Sequence, residues 1–150
     1  MFVRAQCKPN ERQLDPVALG LVRGLMLARM NAIPHTFNQE VTYGAPSGIS
    51  TANADENSVS MVSPNTTLTA TSLAVSLTVV VNNNSARRFT LRVNGVETLL
   101  SCTMGSFGTS CTSSAVVPVP PQSLLSIKSD HPAEDNAEAA EARITFQLTE

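Results

Sequence analysis

The sequence predicts an all-β protein, an antiparallel sandwich of two sheets, and three observations carry that reading. The first is Asn94-Gly95, set between the runs 87–93 and 96–102. Both residues tolerate the positive φ of a type I′ turn, whose twist matches that of the strands it joins. Counting outward from the turn pairs Val93 with Val96, Leu91 with Thr98 and Phe89 with Leu100 on an apolar face. The same count puts Arg92 opposite Glu97, and Thr90 opposite Leu99, on the other face. The second observation is period-2 alternation: Leu73, Val75, Leu77 and Val79 in one run, and Ala142, Ile144, Phe146 and Leu148 in another. The third is the recurrence of Gly, Pro, Asn and Ser clusters at intervals of roughly ten residues between such runs.

Taken in order, the elements begin with an N-terminal arm, residues 1–37, that differs from everything after it. Asp15-Pro16 reads as a helix N-cap followed by the first helical position, and Val17 to Met30 is expected to be helical, stopping at Asn31 before Ile33-Pro34. Leu14, Ala18, Leu21, Leu25 and Ala28 form one stripe, which Val17, Val22 and Met26 widen, leaving Arg23 and Arg29 as the polar interruptions. A bilayer span needs roughly 20 apolar residues, more than this run supplies. A signal peptide is opposed by the acids that precede the run, Glu11 and Asp15, and by Arg23 within it. The remaining reading is a helix covered by its own domain, by symmetry mates or by a partner surface.

The second unit, residues 38–150, opens with loops and one or two short strands as far as Pro64. Strands are then expected from Leu73 to Val80, on both sides of Asn94-Gly95, from Thr109 to Val117, from Leu124 to Lys128, and over the closing alternation from Ala142. Pro118, Pro120 and Pro121 stop the Thr109 strand or place it at a sheet edge. The closing strand is expected in the middle of its sheet, where pairing on both sides would hold it. About eight short strands separated by turns fit an antiparallel jelly-roll sandwich, preceded here by the arm and its one short helix.

Composition narrows function more than it defines it. The chain of 150 residues has a net charge of −2, no Trp and one Tyr, so it lacks the flat rings on which sugar platforms and base-stacking surfaces depend. Residues 1–37 carry five basic and two acidic side chains, a balance of +3, and residues 130–150 carry one basic and six acidic, a balance of −5. The arm's positive charges are spread along an apolar segment and do not form a phosphate-tracking stripe, so neither nucleic acid nor a membrane is an expected partner. Cys102 and Cys111 flank the turn Gly105-Ser106-Phe107-Gly108. A hairpin pairing residues 104 and 109 sets the two thiols opposite each other for a possible cross-strand disulfide, with two reduced thiols as the alternative. Cys7 is left over.

No metal site is expected. Neither His35 nor His131 stands at ligand spacing from the cysteines. Asp130, His131, Glu134, Asp135 and Glu138 lack the alternation and central glycine of a calcium loop and read as a solvated acidic loop. No phosphate loop, nucleophile elbow or paired-carboxylate arrangement appears, so neither catalytic residues nor a cofactor are expected.

Over residues 40–150 the pattern of Leu73 to Val80, Phe89-Thr90-Leu91-Arg92-Val93-Asn94-Gly95, Leu100-Ser101-Cys102-Thr103, Cys111 and Leu124-Leu125-Ser126-Ile127 resembles a group of trimeric jelly rolls. These are the complement-head and tumour-necrosis-factor-like modules found on bacterial spores and phage virions. The resemblance implies a homotrimer. With an arm in place of a long stalk, it implies a capsid decoration or cement protein on the outer surface of a virion, bound to the major capsid protein and stabilising the lattice. On that reading Leu14, Val17, Leu21, Val22, Leu25, Met26, Arg23 and Arg29 are the expected contacts to capsid. The alternative is a receptor- or carbohydrate-binding head of a tail fibre or surface appendage, since one scaffold hosts both tasks.

Overall fold

Alternating apolar side chains build two sheets whose inner faces close on one core. The computed structural model describes residues 24–33, 41–78, 81, 86–133 and 140–150. The strands are β1 (Gly24–Ile33), β2 (Thr42–Gly44), β3 (Gly48–Thr51), β4 (Met61–Val62), β5 (Leu68–Leu77), β6 (Ala86–Val93), β7 (Val96–Met104), β8 (Ser110–Ser113), β9 (Val117–Val119), β10 (Leu124–Ala133) and β11 (Ala140–Thr149). A single 3₁₀ turn, Glu56–Ser58, is the helical element among the described residues.

The front sheet runs β3-β1-β11-β5-β8, with β9 also paired to β5; the back sheet runs β2-β10-β6-β7, with β4 also paired to β10. All strand pairings are antiparallel except β1 with β3. Chain-consecutive β5 and β6 lie in different sheets, and their neighbours β11 and β10 do so as well. This nesting makes the sandwich a jelly roll. β11 lies between β1 and β5, the central position its alternation predicts. Met30, Ile33, Leu73, Phe89, Leu91, Leu100, Ile127, Ile144 and Phe146 fill the space between the sheets.

The arm differs from its expectation. Gly24 to Met30, the second half of the predicted helix, is extended and pairs along its length with β11, from Gly24 opposite Leu148 to Met30 opposite Ala142. Met26, Ala28 and Met30 turn inward while Leu25, Leu27 and Arg29 turn outward. The helical stripe and the strand alternation share several of these residues, and sheet pairing decides between them. The sheet therefore begins at Gly24, not after the boundary expected at residue 37. The first half of that helix, with Leu14, Val17, Leu21, Val22 and Arg23, lies outside the described residues.

Asn94 (φ 52°) and Gly95 (φ 76°) form the turn with both central residues at positive φ, and Val93–Val96 and Arg92–Glu97 pair as counted. Beyond them the register slips by two residues, so that Thr90 meets Ser101 and Phe89 meets Cys102. The Thr98 hydroxyl occupies the slip, donating to the Leu91 carbonyl at 2.7 Å and accepting from the Leu100 N–H at 3.2 Å. A slip of two preserves which face each side chain takes, so Phe89, Leu91 and Leu100 remain in the core.

The strand expected over Thr109 to Val117 is two short strands, β8 and β9, both paired with β5, and Pro118 stands on β9 at the sheet edge. Cys102 and Cys111 are bonded, with a Cα–Cα distance of 5.7 Å. They are not opposed in one hairpin, however. Cys102 is on β7 of the back sheet and Cys111 on β8 of the front sheet, so the disulfide fastens one sheet to the other. The Gly105–Gly108 turn does not pair 104 with 109. Phe107 donates its N–H to the Val81 carbonyl, and the Thr109 carbonyl accepts from Leu77.

Candidate contact surfaces

Each sheet has an outward face, and the two are built from different chemistry. On the front sheet the outward residues of β1 are Leu25 (56% exposed), Leu27 (59% exposed) and Arg29. Register sets Leu25 beside Gln147, Leu27 beside Thr145 and Arg29 beside Arg143 on β11. The next column, on β5, continues with Thr71, Ala74 and Ser76, and Ala74 lies beside Thr112 of β8. On the other side of β1, exposed Ile49 of β3 stands level with Arg29. Apart from one cluster, this face carries small uncharged side chains and exposed aliphatic ones.

That cluster is Arg29, Arg143 and Glu141. Two arginines directly opposite each other repel. The Glu141 carboxylate sits between them, accepting from an Arg29 NH2 group and, at 3.4 Å, from Arg143 Nε. The hydrogen bond from Arg29 is the largest reason the Glu141 carboxyl is held below its ordinary range. One carboxylate against two guanidiniums leaves a single positive charge in excess on this face.

The back sheet's outward face is a charge lattice. Ser126, Lys128 and Asp130 of β10 alternate with inward Leu125, Ile127 and Ser129, yet all six are buried. Arg88 grips Asp130 with two hydrogen bonds, Nε at 3.0 Å and NH2 at 2.7 Å. Lys128 Nζ lies 2.7 Å from the same carboxylate and also donates to Glu97. Arg92 donates from Nε to Glu56 Oε1 at 2.9 Å, and Ser126 Oγ donates to that oxygen at 2.6 Å. The Arg92 guanidinium stands 5.3 Å from the centre of the Tyr43 ring. The 3₁₀ turn, capped by Asp55 accepting from the Asn57 N–H, holds Glu56 in place. Arg88, Arg92 and Lys128 against Glu56, Glu97 and Asp130 make three positive and three negative charges, so this lattice is internally neutral.

Burial pushes the Asp130 carboxyl up, but hydrogen bonds and charge from Arg88 and Lys128 outweigh it and hold the group below its ordinary value. Burial likewise draws Lys128 down, and Asp130 and Glu97 together raise it. The hydrogen bond from Lys128 is the main reason Glu97 is lowered, and the one to Asp130 the main reason Arg88 is raised. Asp130, expected in a solvated acidic loop, is instead a strand residue tied to two cations.

Of the expected contact residues, Leu25 and Arg29 face outward on β1, while Met26 faces inward and packs against the core. The outward set adds Leu27, Ile49 and Arg143, which the sequence reading missed. Leu27 is detectable as the middle member of a Leu25-Leu27-Arg29 alternation. Arg143 depends on the β1–β11 pairing, which no local signal announces. Among the described residues no group of His, Cys, Asp and Glu gathers with metal-binding geometry, and no helix is long and apolar enough to cross a membrane. Neither a protein-family model nor a curated protein matches this chain.

Proposed function

We propose that the protein is a structural virion component that works by surface contact, a capsid decoration or cement protein that binds the capsid lattice as a homotrimer and stabilises it. The observation that carries this reading is the front face. Leu25 and Leu27, each more than half exposed, stand on a broad sheet of Thr, Ser, Ala and Gln. Away from the Arg29, Glu141 and Arg143 cluster, a sheet surface of that kind gains from being covered, because burying apolar area there costs no charged group its water. Three copies meeting through it would leave the back lattices facing solvent and the chain ahead of Gly24 available to the shell. Each attached trimer then adds to shell stability by mass action.

The same geometry changes the truncation that separates arm from body. Residues 24–33 form a strand of the front sheet, so the arm to be removed is residues 1–23. The test is cryo-electron microscopy and mass measurement of particles carrying the chain. A trimer repeated over the shell, with attachment lost on deleting residues 1–23 and trimerisation lost in Leu27→Asp, is the expected result. Three copies only at the tip of a fibre would assign the receptor-binding alternative, and a monomeric full-length chain would overturn both.

A further inference from the structure

The two long sides of the sandwich are closed in different ways. On one side the backbone does it, where β2 of the back sheet meets the residues that follow β3 of the front sheet. There the Tyr43 N–H donates to the Asn53 carbonyl at 2.7 Å, the Asn53 N–H to the Tyr43 carbonyl at 3.0 Å, and the Ala52 N–H to the Asn31 carbonyl of β1 at 2.8 Å. On the other side β7 is the edge of the back sheet and β8 an edge of the front sheet, and the Cys102–Cys111 disulfide joins them.

Apart from that bond, β8 is held by its backbone. No side chain from Gly105 to Val116 is fully buried, and Cys111 and Ala115 are the two hydrophobic ones that pack part-way onto the core. The neighbouring β9, by contrast, is anchored by buried Val117 and Val119. The ladder to β5 runs from Leu73 with Ser113 to Ser76 with Ser110. At the turn ahead of it, the Phe107 N–H donates to the Val81 carbonyl at 2.8 Å, the Val81 N–H to the Gly108 carbonyl at 3.1 Å and the Leu77 N–H to the Thr109 carbonyl at 2.8 Å. Such bonds gain little net, because water takes both groups when they part, and each residue they fix loses conformational freedom. The turn adds a cost of its own: Phe107 holds a φ of 61°, which disfavours a bulky L residue, while its side chain stays 67% exposed.

We propose that the Cys102–Cys111 disulfide is a redox clasp on the edge of the front sheet. Oxidised, it keeps β8 on β5. Reduced, Gly105 to Val116 becomes one loop tethered at buried Met104 and Val117, and β5 becomes the edge at that place while the sandwich stays folded on its core. The reductant is a dithiol. Cys102 is buried and Cys111 less so, which opens the Cys111 sulfur to attack. One thiolate of the dithiol bonds to Cys111 Sγ and displaces Cys102 as a thiolate; the second then displaces Cys111, and the reductant leaves as a disulfide. Two electrons pass to the protein, and the two protons of the dithiol end on the two cysteines. The released edge bares backbone N–H and C=O groups between Leu73 and Ser76, so the sheet is complete only in oxidising surroundings. The clasp belongs to the single subunit and stands independently of the capsid reading.

The experiment is hydrogen–deuterium exchange with mass spectrometry on the full-length chain, before and after excess dithiothreitol. Alkylation and intact mass count the thiols, which should rise by two on reduction. The amides of Ser110–Ser113 are expected to exchange at least tenfold faster in the reduced chain, while those of β6 and β11 keep their rates. The double variant Cys102→Ala, Cys111→Ala is expected to show the reduced pattern with or without reductant. Slow β8 amides in the reduced chain or in the variant overturn the proposal, because β8 then needs no clasp. So does a bond that stays closed in the native chain. Loss of protection in β6 and β11 together with β8 overturns it as well, by making the disulfide a support of the whole fold. Should the variant fail to fold, the native chain read before and after reduction decides between the same outcomes.

Discussion

The outward faces of the two sheets solve the problem of a polar exterior in opposite ways. The back sheet satisfies six charges with one another, so Asp130 and Lys128 are only 10% exposed at their side chains and still paired. The front sheet has few charges to satisfy, leaves one guanidinium in excess, and exposes leucines. A face whose charges are already matched offers a partner little, because docking there would strip water from ions without improving their pairing. A face made mostly of small neutral and aliphatic side chains meets that obstacle only at its one charged cluster, Arg29, Glu141 and Arg143. The contrast teaches that the back lattice belongs to the fold, and it leaves the front face as the one proposed here for association.

The largest effect that would sharpen this contrast comes from β1. Deleting residues 1–36 removes Met30 and Ile33, both fully buried, together with the strand between β3 and β11. Large buried side chains are worth about 2–5 kcal/mol each. Cooperative thermal unfolding by circular dichroism is expected to vanish, whereas deletion of residues 1–23 should retain it. Were the shorter body to melt cooperatively at an unchanged midpoint, β1 would be an accessory to the front sheet and its leucines no part of a fixed face.

Next is the back lattice. Asp130→Asn leaves Arg88 and Lys128 with Glu97 as their remaining carboxylate, and breaking such a pair costs about 3 kcal/mol. Urea unfolding at neutral pH measures it. Loss of the sheet-to-sheet disulfide is comparable or slightly smaller. Cys111→Ser, which opens a loop of nine residues of sequence separation, should cost about 2–3 kcal/mol in the chain-entropy account.

The pH dependence follows from the same groups. Asp130 and Glu97 are held below their ordinary values of 3.8 and 4.5, so their contribution is complete above those values and is lost as pH falls through the depressed ones. Lys128 is raised above 10.5, so its contribution is complete below that value and is lost as pH rises through the raised one. Stability should be level between these limits and decline on both sides, and Asp130→Asn should flatten the acid limb. A native protein with no acid limb would show that the lattice adds nothing to folding.

The smallest effect belongs to the front cluster. Glu141 is half-buried, but its partners Arg29 and Arg143 are exposed and screened by solvent, so Glu141→Gln should leave the urea midpoint nearly unchanged. The same variant leaves two unneutralised arginines on the face proposed for association. It should weaken self-association, which sedimentation velocity measures, while stability stays constant. A variant that lost stability and kept its oligomer would reverse the roles given to the two faces.

How much of this was legible varies with how local the signal is. The Asn94-Gly95 turn and its first two pairs are written in adjacent residues, and so is the alternation that places β11 at the centre. The slip at Thr98 was not readable, because a threonine hydroxyl inserted into the ladder leaves the apolar pattern unchanged. Leu25, Met26 and Arg29 suited a helix and a strand equally well, and the choice depended on β11, more than a hundred positions along the chain. The bonding of Cys102 to Cys111 could be proposed from spacing, but its crossing from one sheet to the other could not. Within the charge lattice only Arg92 and Glu97 face each other across a turn; Glu56 and Asp130 arrive from remote segments that no motif marks.

The placement of β11 also bears on the order of events during synthesis. Until Ala140–Thr149 has been made, β1 and β5 have nothing between them, and the front sheet can exist only as two separate pieces, β1 with β3 and β5 with β8 and β9. The nascent chain must carry its early strands with their hydrogen-bonding edges open while the rest is translated. Such edges invite wrong pairings between neighbouring chains on one message. Slow translation ahead of residue 140 should therefore lower the yield of native protein, and holding chaperones on the ribosome should restore it.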